Sequence, residues 1–238
     1  MNTQTLSKGK TQRLSQNNGK EKIQPLENGD HLTRAEFERR YEAMPNVKAE
    51  LIEGVVYMSS PVRITHHAKP HSRIMLWLGN YLVENEAVDL ADNPTVRLDL
   101  DNEPQPDAVL FIKEEFGGNS YISNDDYLEG SPELVVEIAA STASYDTTEK
   151  KKIYRRNGVK EYIIWRVNDK EIDWFALSEG EYISLEKDKN GVVESRFFGG
   201  LRLNVEALLN DNLAQVLAGL QKGLKSKNHQ DFVKSLAK

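Results

Sequence analysis

The sequence predicts an α/β fold: a mixed central sheet flanked by helices, followed by a C-terminal strand meander and further helices. Three observations predict it. Two nearly continuous apolar runs of strand length, PELVVEIAAS from Pro132 and EYIIWRV from Glu161, read as central strands covered on both faces. Between them, Asp146-Thr147-Thr148-Glu149 reads as a capping-box start that opens a helix over about 147–157, ended by Asn157-Gly158. Earlier in the chain, Ile74, Trp77, Leu78, Tyr81 and Leu82 recur at helical spacing, which predicts a long amphipathic helix over roughly 69–85.

The remaining elements follow in order. Residues 1–30 are rich in Gln, Asn, Lys, Ser and Gly, too polar to offset their ordering entropy, and are expected to form a disordered tail. Thr33-Arg34-Ala35-Glu36 is a capping box; its helix runs to about Glu42, with Pro45 just beyond. Lys48 to Ser59 reads as two strands about the turn Glu53-Gly54. Thr95 to Leu100 alternates as a half-buried strand, and Asp107 opens a short strand, DAVLFI. Residues 116–131 read as a polar loop. IDWFAL, EYISLE and VVESRFF form the meander, and residues 205–237 are helical by pattern, with Leu208, Leu209, Leu213, Val216, Leu217 and Leu220 as an apolar stripe. The expected organisation is a tail over 1–30, one α/β domain over 31–204 and a helical extension over 205–238.

Composition narrows the class. The chain has no cysteine, which excludes disulfides and thiolate metal sites and agrees with a reducing compartment. No apolar run approaches the roughly 18–20 residues of a membrane span, and the first residues lack the apolar segment of a secretory signal. The reading is a cytoplasmic protein. The formal net charge of -6 argues against tight, non-specific nucleic-acid binding, yet leaves room for an enzyme with a local basic strip.

Glu137 is the most informative residue. It sits inside Leu134-Val135-Val136-Glu137-Ile138-Ala139, where a carboxylate would be buried and must be paired, protonated or bound to a metal. The ordinary alternative is a structural ion pair. Asp107 follows Gln105-Pro106 and opens a strand able to pair with that of Glu137; two carboxylates on neighbouring strands offer hard oxygen ligands for Mg²⁺ or Mn²⁺. Lys150 falls in the first turn of the expected helix, where the macrodipole disfavours a cation and a nearby anion would favour it. It shares a face with Ile153, Tyr154 and Asn157, within a basic run that includes Lys151, Lys152, Arg155 and Arg156. Glu50 alternates onto the face of Ile52, and a plain surface glutamate is its ordinary alternative. His66, His67 and His71 cluster ahead of the long helix, as metal ligands, hydrogen-bond partners or phosphate contacts. Trp174 could stack a base, but a core strand with Trp174 packed on the sheet is the simpler reading.

Together, Ala49-Glu50-Leu51-Ile52-Glu53-Gly54, Ser60-Pro61 with its nearby histidines, Gln105-Pro106-Asp107, Pro132-Glu133-Leu134-Val135-Val136-Glu137, Ser141-Thr142, Tyr145-Asp146, Lys150, Tyr154 and Gly158-Val159-Lys160-Glu161-Tyr162 resemble the Uma-type restriction endonuclease family. That family lies within the PD-(D/E)XK nuclease superfamily, and the resemblance spans about residues 33–205. It implies a restriction-endonuclease-like fold and a Mg²⁺-dependent (or Mn²⁺-dependent) endonuclease acting on DNA. Asp107 and Glu137 would be the two motif acids that hold the metal, and Glu50 an early glutamate acting on it directly or through water. The superfamily lysine usually lies two residues past the second acid, where this chain has Ala139. Lys150 resembles its replacement, reaching the same space from the following helix. His67, Lys151 and Tyr154 are the candidate substrate contacts, and the superfamily implies a homodimer. The competing reading is a catalytically weak or inactive nuclease-fold protein that binds nucleic acid in a regulatory role.

Overall fold

The computed structural model describes residues 22–58, 63–140 and 143–237. Ser60-Pro61 and Ser141-Thr142 of the expected motifs, and residues 1–21 of the expected tail, lie outside the described residues. Order begins ahead of Thr33: Leu26 is buried beside Phe37, Leu51 and Val56, and Gly29 N–H donates to Val56 O at 2.8 Å. Buried Leu26 and the backbone bonds that Gly29, Asp30 and Leu32 make to Val56 and Gly54 hold a stretch whose composition alone reads as disordered.

Helix α1 (Arg34–Tyr41) starts on Thr33, whose Oγ1 accepts from Glu36 N as the capping box requires. Strands β1 (Ala49–Ile52) and β2 (Val55–Met58) form an antiparallel hairpin. Its two turn residues, Glu53 and Gly54, both have positive φ (52° and 72°), the primed-turn geometry that matches strand twist. A wide π-helical turn (Ile64–Ala68) leads into α2 (Lys69–Leu82), which buries Ile74, Trp77, Leu78 and Tyr81.

Strands β3 (Val88–Asp92), β4 (Val96–Arg97) and β5 (Ala108–Ile112) follow. The strand expected over Thr95–Leu100 shrinks to two residues, because Leu98 N–H already closes a turn on Asn102 O at 3.1 Å and Leu100 points out to solvent. The expected loop over 116–131 contains β6 (Ser120–Ile122) and β7 (Leu128–Gly130), which pair with β4 in a separate three-stranded sheet.

Strand β8 (Leu134–Ala139) carries the long apolar run. A short helix α3 (Ala143–Tyr145), a π-helical turn (Asp146–Lys150) and α4 (Lys151–Arg156) run on from one another without a break, and a turn at Asn157-Gly158 leads to β9 (Glu161–Arg166). The helix thus starts earlier than Asp146: residue 145 is itself helical and makes no side-chain cap. Lys150 therefore lies beyond the first turn, and the macrodipole argument for it does not apply.

The meander is β10 (Glu171–Ser178), β11 (Glu181–Ser184) and β12 (Val192–Glu194); among the described residues β12 pairs only with β13 (Arg202–Asn204). Helices α5 (Val205–Leu209), α6 (Leu213–Leu224) and α7 (Lys227–Leu236) finish the described chain. No described helix is long and apolar enough to cross a membrane.

The main sheet has the order β11-β10-β9-β8-β5-β3, with β8 and β9 parallel and its other pairs antiparallel. Alternation assigns its faces. Ala108, Leu110, Ile112, Leu134, Val136, Ile138, Ile163 and Trp165 pack with α2 and the C-terminal helices. Val109, Phe111, Val135, Ala139, Tyr162 and Ile164 pack with Ile153 and Tyr154 of α4. Each such aliphatic side chain contributes about 1.5–3 kcal/mol on full burial, so the strand register is strongly held. Trp174 is in the core, edge-on to Trp77, as its simpler reading expects. The odd positions of β8 face α4, and Glu137 is one of them.

Candidate active site

Strand pairing brings the acids together. Ala108 pairs with Val136 at the last antiparallel rung of β5 and β8, so continuing the register by one residue sets Asp107 opposite Glu137. Both side chains then fall on the α4 face. Asp107 Oδ2 accepts from Ile138 N at 2.6 Å, in place of the main-chain acceptor that another rung would supply. Its Oδ1 lies 2.9 Å from His67 Nε2.

Glu137 is 4% exposed. Its Oε1 accepts from Lys150 Nζ at 3.0 Å and from the Tyr154 hydroxyl at 2.9 Å. Lys150, also 4% exposed, reaches Glu50 Oε1 at 2.8 Å and Asp146 Oδ1 at 3.9 Å. Glu50 is buried rather than on the surface, because the loop before Asp107 covers β1: Leu51 pairs with Glu103, and Gln105 N donates to Glu50 Oε1 at 2.6 Å.

Four carboxyl groups, those of Glu50, Asp107, Asp146 and Glu137, thus gather around Lys150 and His67. The electrostatics follow from that imbalance. Burial pushes the Glu137 carboxyl well above its usual range; Lys150 opposes the shift, while Asp146, Asp107 and Glu50 add to it. Burial works to raise Asp107 as well, but the hydrogen bond and charge of His67, with Ile138 N–H, outweigh it and hold Asp107 low. The same Asp107 bond raises His67 against its desolvation. Burial would lower Lys150, yet Glu137, Glu50 and Asp146 overcome it and keep the ammonium protonated.

Asp146 is the site residue that sequence reasoning missed as such. Its signal was present in Tyr145-Asp146, but the local pattern read as a helix cap. The three histidines have separate roles. His71 Nε2 donates to Asp107 O at 2.8 Å and lies 3.2 Å from Asp92 Oδ1, so it braces the backbone of Asp107. His66 pairs with Asn168 away from the acids. His67 contacts Asp107 through Nε2 and keeps a buried Nδ1 without a hydrogen-bond partner among the described residues.

Of the expected substrate contacts, Tyr154 is fully buried and turned onto Glu137, where it positions the acid. The Lys151 ammonium sits 3.4 Å from the centroid of the Phe175 ring, a cation–π contact on the sheet. His67 stays partly exposed beside Asp107.

The donor chemistry fits a hard divalent cation: carboxylate oxygens, in excess over the cations that neutralise them. Among the described residues, no three His, Asp or Glu side chains are grouped as an assembled ion site. Lys150 instead lies between Glu50 and Glu137.

Comparison with known proteins bears on this arrangement. The family described as "Putative restriction endonuclease" (Uma2) matches residues 34–206. A crystal structure described as that of "a putative nuclease belonging to DUF820", from Anabaena variabilis ATCC 29413, shares the fold at 12% sequence identity and a TM-score of 0.57, covering 72% of this chain and 96% of that one. No curated protein matches the chain. The family match takes in β1 through β13, the whole of the sheet and every member of the acid cluster, and the chain belongs to the Uma2 restriction endonuclease family.

Proposed function

We propose that this protein is a metal-dependent endonuclease that hydrolyses DNA phosphodiester bonds at the cluster of Glu50, Asp107, Glu137 and Lys150. The observation that carries the reading is Glu137: a fully enclosed carboxylate facing three further acids. Burying like charges together costs stability, and no structural purpose is served that an apolar residue would not serve better. Asp107, Glu137 and Glu50 would hold Mg²⁺ (Mn²⁺ as substitute). When bound, such an ion polarises the scissile phosphate and lowers the pKa of a bound water.

The chain's own residues supply the rest. Tyr154 fixes the rotamer of Glu137 through its hydroxyl. His67 and Ile138 N–H fix Asp107, holding it ionised. Lys150 stays protonated; it orients the attacking water and offsets charge that develops on the phosphoryl oxygens. Partly exposed beside Asp107, the His67 ring would line the path of a substrate phosphate while its Nε2 stays on Asp107.

The test is plasmid nicking in Mg²⁺ or Mn²⁺. Wild type should nick or linearise the plasmid, and Glu137→Ala should be slower by at least about 10²-fold. Equal nicking by the two would overturn the reading.

A second reading, an inactive nuclease-fold protein that binds nucleic acid in a regulatory role, draws support from the net charge of -6 and from the lack of an assembled three-ligand cluster among the described residues. It expects nucleic-acid binding with no divalent-ion heat in calorimetry at millimolar concentration.

A further inference from the structure

Two of the proposed ligands are already engaged by one ammonium. Lys150 Nζ lies 2.8 Å from Glu50 Oε1 and 3.0 Å from Glu137 Oε1, with its side chain 5% exposed. Each of those oxygens accepts a second hydrogen bond, from Gln105 N at 2.6 Å and from Tyr154 OH at 2.9 Å. Neither Oε1 can approach a cation at the roughly 2.0–2.6 Å of oxygen–metal contacts while the ammonium remains between them. A lysine charge and a divalent ion on the same oxygens would also repel each other strongly in a buried setting.

We propose that Lys150 is a tethered competitor for the cation: its ammonium is the resident counter-ion of Glu50 and Glu137, and a divalent ion gains those two Oε1 atoms by displacing it. Asp146, one helical turn before Lys150 and 3.9 Å from its Nζ, is the acid that retains the displaced ammonium. One ammonium therefore partly offsets the two acids, and the lysine is withheld from substrate, until the ion is bound. Loading and activation become one event. A substrate phosphate that attracts Lys150 then strengthens ion binding by linkage, because both favour the displaced lysine.

This inference rests on the metal-dependent reading above, and calorimetry with Mn²⁺ on the full chain without substrate separates the two. Lys150→Met removes the charge and keeps the length; it should bind Mn²⁺ about tenfold more tightly than wild type, or better. Lys150→Arg keeps the charge and should bind no more tightly than wild type. Equal or weaker binding by Lys150→Met overturns the competition, as does tighter binding by Lys150→Arg. Failure of wild type and Lys150→Met alike to bind Mn²⁺ overturns the metal reading itself.

If Lys150→Met does not fold, the wild-type chain carries the test. Trace acetylation followed by mass spectrometry should show Lys150 protected without Mn²⁺ and several-fold more reactive at saturation. Unchanged labelling of Lys150 with Mn²⁺ bound overturns the proposal.

Discussion

The two ends of the central parallel pair, β8 and β9, each bury glutamate, and they treat it in opposite ways. At the N-terminal end, Glu133 accepts from Ile112 N at 2.8 Å and from Asn119 N and Nδ2 at 3.0 and 3.1 Å. Beside it, Glu161 accepts from Arg196 N, Phe197 N, Ser195 Oγ and Trp174 Nε1 at 2.6, 3.1, 2.8 and 3.1 Å. Burial raises both carboxyls, and those donors pull them back. At the other end Glu137 has Lys150 and Tyr154 on one oxygen, and three acids that push it further up. Burial alone therefore does not mark a functional acid. The difference lies in what answers the charge: loop amides fastening a strand at one end, competing carboxylates at the other.

Substitution by glutamine should separate the ends. Glu137→Gln should lower plasmid nicking by about 10²–10³-fold, while its urea denaturation at pH 7 stays within about 1 kcal/mol of wild type, because removing one of four crowded acids offsets the lost bond to Lys150. Glu161→Gln should do the reverse. An amide NH₂ placed against N–H donors leaves buried groups unpaired and costs about 1–3 kcal/mol, while activity per folded molecule is retained. A Glu161→Gln protein of full stability would erase the contrast.

Acid titration sharpens it further. Because burial raises the folded-state pKa of Glu137, the folded chain keeps its proton there to a higher pH than the unfolded chain does. Its favourable contribution is complete below about pH 4.5 and declines as pH rises toward the folded value. Glu103, which burial and then Glu38 push up to about 8, adds a decline in the same sense between about pH 4.5 and 8. Thermal melts from pH 5 to 9 should therefore fall with pH in wild type. Glu137→Gln should flatten the profile more than Glu161→Gln does; equal flattening would mean the acid end is no more crowded than the other.

The smallest effect belongs to Tyr154→Phe. Losing the 2.9 Å hydroxyl bond to Glu137 should cost about 0.5–1.5 kcal/mol of stability, with a loss of nicking well short of that of Glu137→Gln.

Glu137 was legible in the sequence because a carboxylate interrupts an apolar run, and Asp107 because its strand pairs with that run. Glu161, also beside an apolar run, gave no sign of its different fate: three of its four donors arrive from a loop 34–36 positions away, and the fourth is Trp174 Nε1. Of the supports for Lys150, the face it shares with buried Ile153 and Tyr154 holds, while the macrodipole argument falls. The helix begins at Ala143, so neighbouring carboxylates rather than the macrodipole account for the buried ammonium. Asp146 was hidden by its own local pattern, since Asp-x-x-Glu signals a cap whether or not the chain is already helical. Strand β3 escaped notice because it is an edge strand in which acids flank Leu90.

The bond from Ile138 N to Asp107 Oδ2 bears on how such a chain can change over generations. An asparagine at this position keeps a carbonyl oxygen for that strand contact and discards the charge. Asp and Asn codons differ by a single base. One transition would therefore leave the sheet intact and silence the chemistry proposed for Asp107, so a lineage built on this scaffold would stand one mutation from a folded protein kept for binding alone.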